Sequence, residues 1–367
     1  MVEWRTSADA FLADDGNTDY GGVETNASLK RRLDAPLVMN ASHIAPSSPY
    51  VTDVADWWIG EHAAHPEDPV FFRRWFDDAR RWGATVLEQD WMQVYWFAVR
   101  ELRAAPGRAA DWQRALNDHA TATDVDLLWC MATPADLMLA TELDRVVAVR
   151  TCDDYRFNDD PAFLWTWFLT VNRLAGVLGL RVFKDCFFSN PDVGPGDDAI
   201  DGDPHAELEA ALAALSGGPV GVGDRMGRTD RDVVMRTCDD DGRLRLVDRP
   251  IAALDRCMFG GPRRGDMLMW ATTTATTAAG TWQYLLAVNT SDRTVTDRHE
   301  LGSHSTVYDW RDRRDDRTDA FELTLEPSAW SLFVVSPADE SRSAAEVGDP
   351  TRFVVVEALP ANRRQRR

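Results

Sequence analysis

The chain has 367 residues, 44% of them hydrophobic and 15 of them Trp, enough to fill the core of one large domain and a smaller one. Its formal net charge of −20 at pH 7 repels nucleic acid and anionic membrane, because a phosphate backbone is bound by clustered Lys and Arg. Neither is expected as a partner.

Residues 1–35 are polar and short, and no element is assigned to them. From Pro36 onward, short apolar runs that end in polar residues alternate with longer amphipathic stretches. The strand candidates are Pro36–Asn40, Ala84–Gln89, Asp126–Met131, Arg145–Arg150, Arg181–Phe183 and Pro219–Val222. Between them, helical spacing of apolar residues predicts Asp68–Trp82, Ala109–His119, Ala135–Asp144, Ala162–Val177 and His205–Leu215. Parallel strands need crossover helices, so this rhythm predicts an α/β fold of the (β/α)8 TIM-barrel type, although an open doubly wound sheet shares the pattern. The barrel region spans residues 36–256. Alternating runs such as MLMWATTT, WQYLLAVNTS, STVYDW, FELTLE and WSLFVVSP then predict a small antiparallel β-sandwich domain over 257–340. The polar tail, 341–367, is expected to be largely disordered, with one strand-like run at Arg352–Ala358. Six strands fall short of eight, and residues 1–35 are too few for two β/α units of roughly 30 residues each. The chain is therefore expected to be a piece of a longer protein, an incomplete barrel, or a reading frame begun at an internal Met.

In a parallel barrel the reactive groups gather at the C-terminal ends of strands. Asp90 ends the run ATVLEQ, and side-chain alternation puts Glu88 on its side, with Gln89 opposite. A second charged strand end is Arg150-Thr-Cys-Asp-Asp-Tyr155, where Asp153 or Asp154 can keep a proton if another carboxylate lies close. A carboxylate nucleophile with a carboxylic acid roughly 5 to 5.5 Å away is the minimal equipment of a retaining glycosidase.

The stretch Ser216–Phe259 reads SGGPVGVGDRMGRTDRDVVMRTCDDDGRLRLVDRPIAALDRCMF. It resembles the raffinose synthases and alkaline α-galactosidases of glycoside hydrolase family 36, in clan D, which read in outline GG-hydrophobic-SD-G, D-LL, LPDG-LR and RPT-DCLF. Cys130-Met131 with Asp136 resembles that group's CM-S-NTD, and Val149–Tyr155 with Asp160-Pro161 resembles its VR-SDDF-P-DP. The resemblance runs from residue 36 to about 260 and, more loosely, through Asp309–Arg311 and PSAWSLFVVSP of the β-domain. It implies Asp90 as nucleophile, Asp153 or Asp154 as acid and then base, and Arg150 as the residue that orients that acid. Asp185 falls on the second acid of the family's PDWDMFHS motif, and Gly217, Gly218 and Asp224 fall on its GG-SD turn. Two departures bear on the sugar. The family's lysine two residues before the nucleophile is Glu88 here, and the first acid and tryptophan of PDWD are Phe183 and Lys184.

Other residues carry weaker signals. His43 can hydrogen-bond a sugar hydroxyl or be a plain loop histidine. Trp91, beside Asp90, can stack on a pyranose, whereas most other tryptophans are expected in core or rim packing. Cys130 can touch ligand, but neither it nor Cys152 has a neighbouring His, so both read as packing rather than as nucleophiles. The acidic loop Asp192–Asp203 lacks the ligand pattern of an EF-hand and reads as a solvated lid. Five cysteines without a CxxC pair suggest no disulfide framework or zinc site, and neither a signal peptide nor a long apolar run is present, so a cytoplasmic protein is expected. The lysines are Lys30 and Lys184, and with Asp and Arg dominating the charge the surface reads as halophilic. Together these point to a retaining glycoside hydrolase for an α-linked, foremost α-galactosyl, saccharide, with no metal and no organic cofactor. The alternatives are a transglycosidase and a non-catalytic carbohydrate-binding relative. The expected partner is an oligosaccharide or glycoside, and the oligomeric state is open.

Overall fold

The computed structural model describes residues 36–48, 50–51, 56–61, 63–68, 70–155, 159–192, 202–337 and 348–357. The expected N-terminal segment, most of the acidic loop (193–201) and residues 358–367 lie outside them. The chain divides into two compact units, Met1–Arg150 and Thr151–Arg367. The boundary expected after residue 256 falls within the second of these units.

The first unit begins with strand β1 (Leu37–Ala41) and a hairpin of β2 (Trp57–Ile59) and β3 (Ala64–Pro66) that the sequence reading left out. Helix α1 (Val70–Trp82) follows, burying Phe71, Phe72, Trp75, Phe76, Ala79 and Trp82 along one stripe, with Arg80 and Arg81 at the negative end of its dipole. Strand β4 (Ala84–Gln89) leads to the short helix α2 (Met92–Ala98), and α3 (Arg108–Thr123) packs through Trp112, Leu116 and Ala120. After β5 (Asp126–Trp129) comes α4 (Pro134–Ala140), opened by a capping box in which Thr133 and Asp136 satisfy each other's backbone N–H groups. The unit ends with β6 (Val146–Arg150). Its strands run parallel in the order β1-β4-β5-β6. The barrel is incomplete, and among the described residues this parallel sheet does not close on itself.

The second unit opens with a loop and helix α5 (Pro161–Val177), capped by Asp160 and started by a proline at its first position. Strand β7 (Val182–Phe183) has two residues, and α6 (Ala206–Ala214) and α7 (Arg231–Met235) follow. The expected strand Pro219–Val222 forms only one parallel bridge, Val222 to Phe187. Strand β8 (Ala252–Ala253), assigned from sequence to the barrel, pairs antiparallel with β9 (Met269–Thr277) beyond the short helix α8 (Gly261–Arg264). With β10 (Gly280–Val288), β11 (Val295–Asp309), β12 (Arg314–Leu325) and β13 (Trp330–Val335) it builds a six-stranded sheet in the order β12-β11-β13-β10-β9-β8. Part of the expected tail is built in as well. Strands β14 (Gly348–Asp349) and β15 (Val356–Glu357) pair, Phe353 stacks on Trp310 at 5.0 Å, and the Val355 N–H donates to the Tyr284 hydroxyl at 2.9 Å. Among the described residues, no helix is long and apolar enough to cross a membrane.

Candidate active site

The C-terminal ends of the four parallel strands of the first unit bring Asn40, Glu88 with Asp90, Cys130 and Arg150 into a single neighbourhood. Pairing of β1 with β4 sets Asn40 across from Glu88 and Ala41 across from Gln89. Because successive side chains alternate, Glu88 and Asp90 share a side, and the Asn40 amide reaches both: Nδ2 donates to Glu88 Oε2 at 3.3 Å and to Asp90 Oδ2 at 3.1 Å. Gln89, on the other side, is buried and donates to the carbonyls of Ala41 and Asp90, which locks this strand end in register.

Asp90 is held further by its own turn. Its backbone N–H donates to Ala41 O at 2.7 Å, and its Oδ1 accepts the Trp91 N–H at 2.7 Å. Trp91 is in the left-handed region (φ 58°, ψ 31°), a conformation that costs a non-glycine residue about 1 kcal/mol and turns the chain sharply into α2. Its ring lies 5.4 Å from that of His43, which is buried. Met131, just past β5, also has positive φ (53°), and the N–H groups of Met92 and Gln93 donate to the carbonyls of Cys130 and Met131. The two loops are thereby fastened to each other.

Electrostatics follow from this crowding. Burial, and then the charge of Asp90, push the Glu88 carboxyl above its ordinary range, against the opposing effects of Asn40, the Cys130 thiol and Arg150. Burial pushes the Cys130 thiol far up, the buried Arg150 guanidinium opposes this, and the carboxylates of Asp90 and Glu88 reinforce it, so this sulfur is a neutral group rather than a nucleophile. The Arg150 charge thus acts on both Glu88 and Cys130 within the first unit.

In the second unit, Asp153 and Asp154 are half-buried, and Asp153 Oδ1 accepts the Asp154 N–H at 2.9 Å. Asp185 is tied to the same loop: its Oδ2 accepts the Tyr155 N–H at 2.9 Å, and its own N–H donates to Cys152 Sγ at 3.4 Å. Lys184 is fully buried and forms an ion pair with the buried Glu209, whose other oxygen accepts Trp165 Nε1–H at 2.6 Å. The Lys184 ammonium also lies over the Tyr155 ring at 4.4 Å. Burial alone would strip its proton, but the Glu209 carboxylate beside it reverses that and holds the lysine charged. Lys184 is therefore the internal prop of the loop that carries Asp154 and Tyr155.

Gly217 and Gly218 serve packing. Gly217 has φ +81°, and a Cβ at Gly218 would lie 2.2 Å from the Val182 carbonyl oxygen, at the start of β7 and away from the strand end where Asp185 sits. Asp224, also on that turn, accepts the N–H and hydroxyl of Ser189 at 2.8 and 2.6 Å. Sequence reasoning missed Asn40 as a site residue and Glu209 as a partner; the signals were a polar residue at a strand end and a charge inside the apolar run of α6.

No family model matches the chain, and no curated protein matches it. Among solved structures the fold is that of glycoside hydrolases. A GH27 β-L-arabinopyranosidase from Geobacillus stearothermophilus aligns with a TM-score of 0.60 at 12% identity, covering 89% of this chain and 79% of that one. A variant of the same enzyme in complex with arabinose aligns at 0.58 and 12% identity, over 87% and 79%. A β-arabinopyranosidase aligns at 0.51 and 13% identity, over 86% of this chain and 49% of that one. At such identities the likeness is one of fold.

Proposed function

We propose that the chain is a retaining glycoside hydrolase that cleaves an α-linked glycoside, with α-galactosyl as first candidate, by double displacement. The carboxylate of Asp90, aimed by Asn40 and the Trp91 N–H at the end of a parallel strand, carries this reading. In the first step an Asp90 oxygen bonds to the anomeric carbon as the glycosidic C–O bond breaks, and Asp154 or Asp153 gives its proton to the departing oxygen. In the second step the same acid, now a base, takes a proton from water, which attacks the anomeric carbon and frees Asp90. Glu88 and Asp185 grip sugar hydroxyls, Trp91 offers a stacking face, and His43 and Cys130 line the pocket. The structural relatives favour the same sugar geometry, since β-L-arabinopyranose is α-D-galactopyranose without its exocyclic CH2OH.

Nitrophenyl α-D-galactopyranoside and β-L-arabinopyranoside, assayed at low and high KCl, test the proposal. Release of nitrophenol is expected from at least one, and Asp90→Asn should lower it by roughly three orders of magnitude or more. Unchanged turnover in that variant would end the assignment. The open parallel sheet favours one alternative, a non-catalytic relative, which would bind the sugar equally well with Asp or Asn at position 90 and turn over neither glycoside. Product analysis with an acceptor sugar separates hydrolysis from transfer.

A further inference from the structure

We propose that a groove on the first unit, walled by α2, α3 and the start of α4, is a binding site for a small uncharged aryl alcohol. It takes in none of the residues assigned to the hydrolase, and the proposal does not rest on that reading.

The groove encloses about 770 Å3, within the range of roughly 300–1,000 Å3 usual for small-molecule sites. Most of its lining is apolar, with Trp96, Phe97, Leu102, Pro106 and Leu139 among the larger side chains. Two of these are costly to leave in water, since Phe97 is 71% exposed and Trp96 37%. Adjacent aromatic rings suit a flat apolar guest. The charged residues of the lining are Arg103 and Asp136, of opposite sign. Both are engaged: Arg103 Nη2 donates to the Phe97 carbonyl at 2.9 Å, while Asp136 accepts the N–H and the hydroxyl of Thr133, each at 2.7 Å, and the Gln113 amide at 2.5 Å. No net charge is left to call for a charged guest.

Gln113 supplies the polar point of recognition. It lines the groove and is 2% exposed, and because its Nε2 is committed to Asp136 Oδ1 the amide is not free to turn. Its carbonyl oxygen Oε1 is buried and accepts no hydrogen bond among the described residues. An unmade buried acceptor is costly, and between apolar walls the hydroxyl of a guest is the group that satisfies it. An aryl alcohol brings both parts, a ring for Trp96 and Phe97 and an O–H for Gln113. The groove also stands at the end of the sheet where such folds take their ligands: α2 leaves β4 just beyond Asp90, and α4 leaves β5 just beyond Cys130.

Calorimetry on the full chain at pH 7 with 2-naphthol and with its methyl ether, 2-methoxynaphthalene, tests ring and hydroxyl separately. 2-Naphthol is expected to bind, and at least about fivefold more tightly than the ether, because one hydrogen bond to an otherwise unpaired buried acceptor changes affinity by about tenfold. Phe97→Ala, at an exposed position, should weaken both compounds by at least about fivefold, and Gln113→Met should bring their affinities together. If Gln113→Met does not fold, the wild-type ratio and Phe97→Ala still decide. Absence of 2-naphthol binding, binding untouched by Phe97→Ala, or equal affinities of the two compounds for the wild type would each overturn the proposal. So would sedimentation showing a wild-type dimer that Phe97→Ala turns into monomers, which would give the groove to a second copy of the chain.

Discussion

Asn40 and His65 show how far a single side chain depends on its neighbours. Asn40 is an exposed amide at a strand end, unremarkable in sequence, yet parallel pairing makes it the bridge between two acids. His65 is buried, with its Nδ1 2.7 Å from the Tyr95 hydroxyl and Trp112 against its ring. Burial, and secondarily Arg108, push it down from 6.5 to about 4. The unfolded chain takes up this proton as pH falls through 6.5, whereas the folded chain resists until about 4, so the stability involved is complete above 6.5 and is lost on acidification. The shift corresponds to about 3 kcal/mol in all, of which about 2 is gone by pH 5. Urea unfolding at pH 7 and 5 should show that loss in the wild type, and a clearly smaller one in His65→Gln, which keeps an acceptor for Tyr95.

At the scale of elements, periodicity located most pieces correctly. The apolar stripe of α1, the strand that ends at Asp90 and the β-runs after residue 265 were legible because burial on one face imprints a period of 3.6 or 2. The hairpin of β2 and β3, the helix α2 and the short β8 were not, since each is too short to display a period. Lys184 on the strand end and Glu209 on α6 illustrate the other gap: two charges far apart in sequence, each looking like a departure, neutralise each other inside. Removing one leaves the other buried and uncompensated. Lys184→Met should cost about 3–5 kcal/mol in urea unfolding. Combining it with Glu209→Gln, which preserves an acceptor for Trp165 Nε1, should recover most of that loss; an additive double variant would show that the pair does not interact.

For the whole molecule, composition and topology say different things. The net charge of −20 with nearly all positive charge on Arg makes the folded state self-repelling in dilute salt. Screening should therefore stabilise it: between 0.1 and 3 M KCl the melting temperature is expected to rise by roughly 5 °C or more. A flat response would remove the halophilic reading and leave a merely acidic protein. The division after Arg150 belongs to topology. The β/α rhythm continues in sequence through Val222, but β7 is only two residues long and β8 already pairs with the antiparallel sheet.

Local forces wrote what could be read directly: where strands stop, which acids stand at those stops, and which helix faces are apolar, because periodicity and side-chain alternation act over a few residues. Which of those acids lie against one amide, which lysine is an internal prop and which glycines meet a neighbouring backbone were decided only by folding. Proton affinity and steric room depend on desolvation and on groups brought in from other strands, and neither is a property of the residue that carries it.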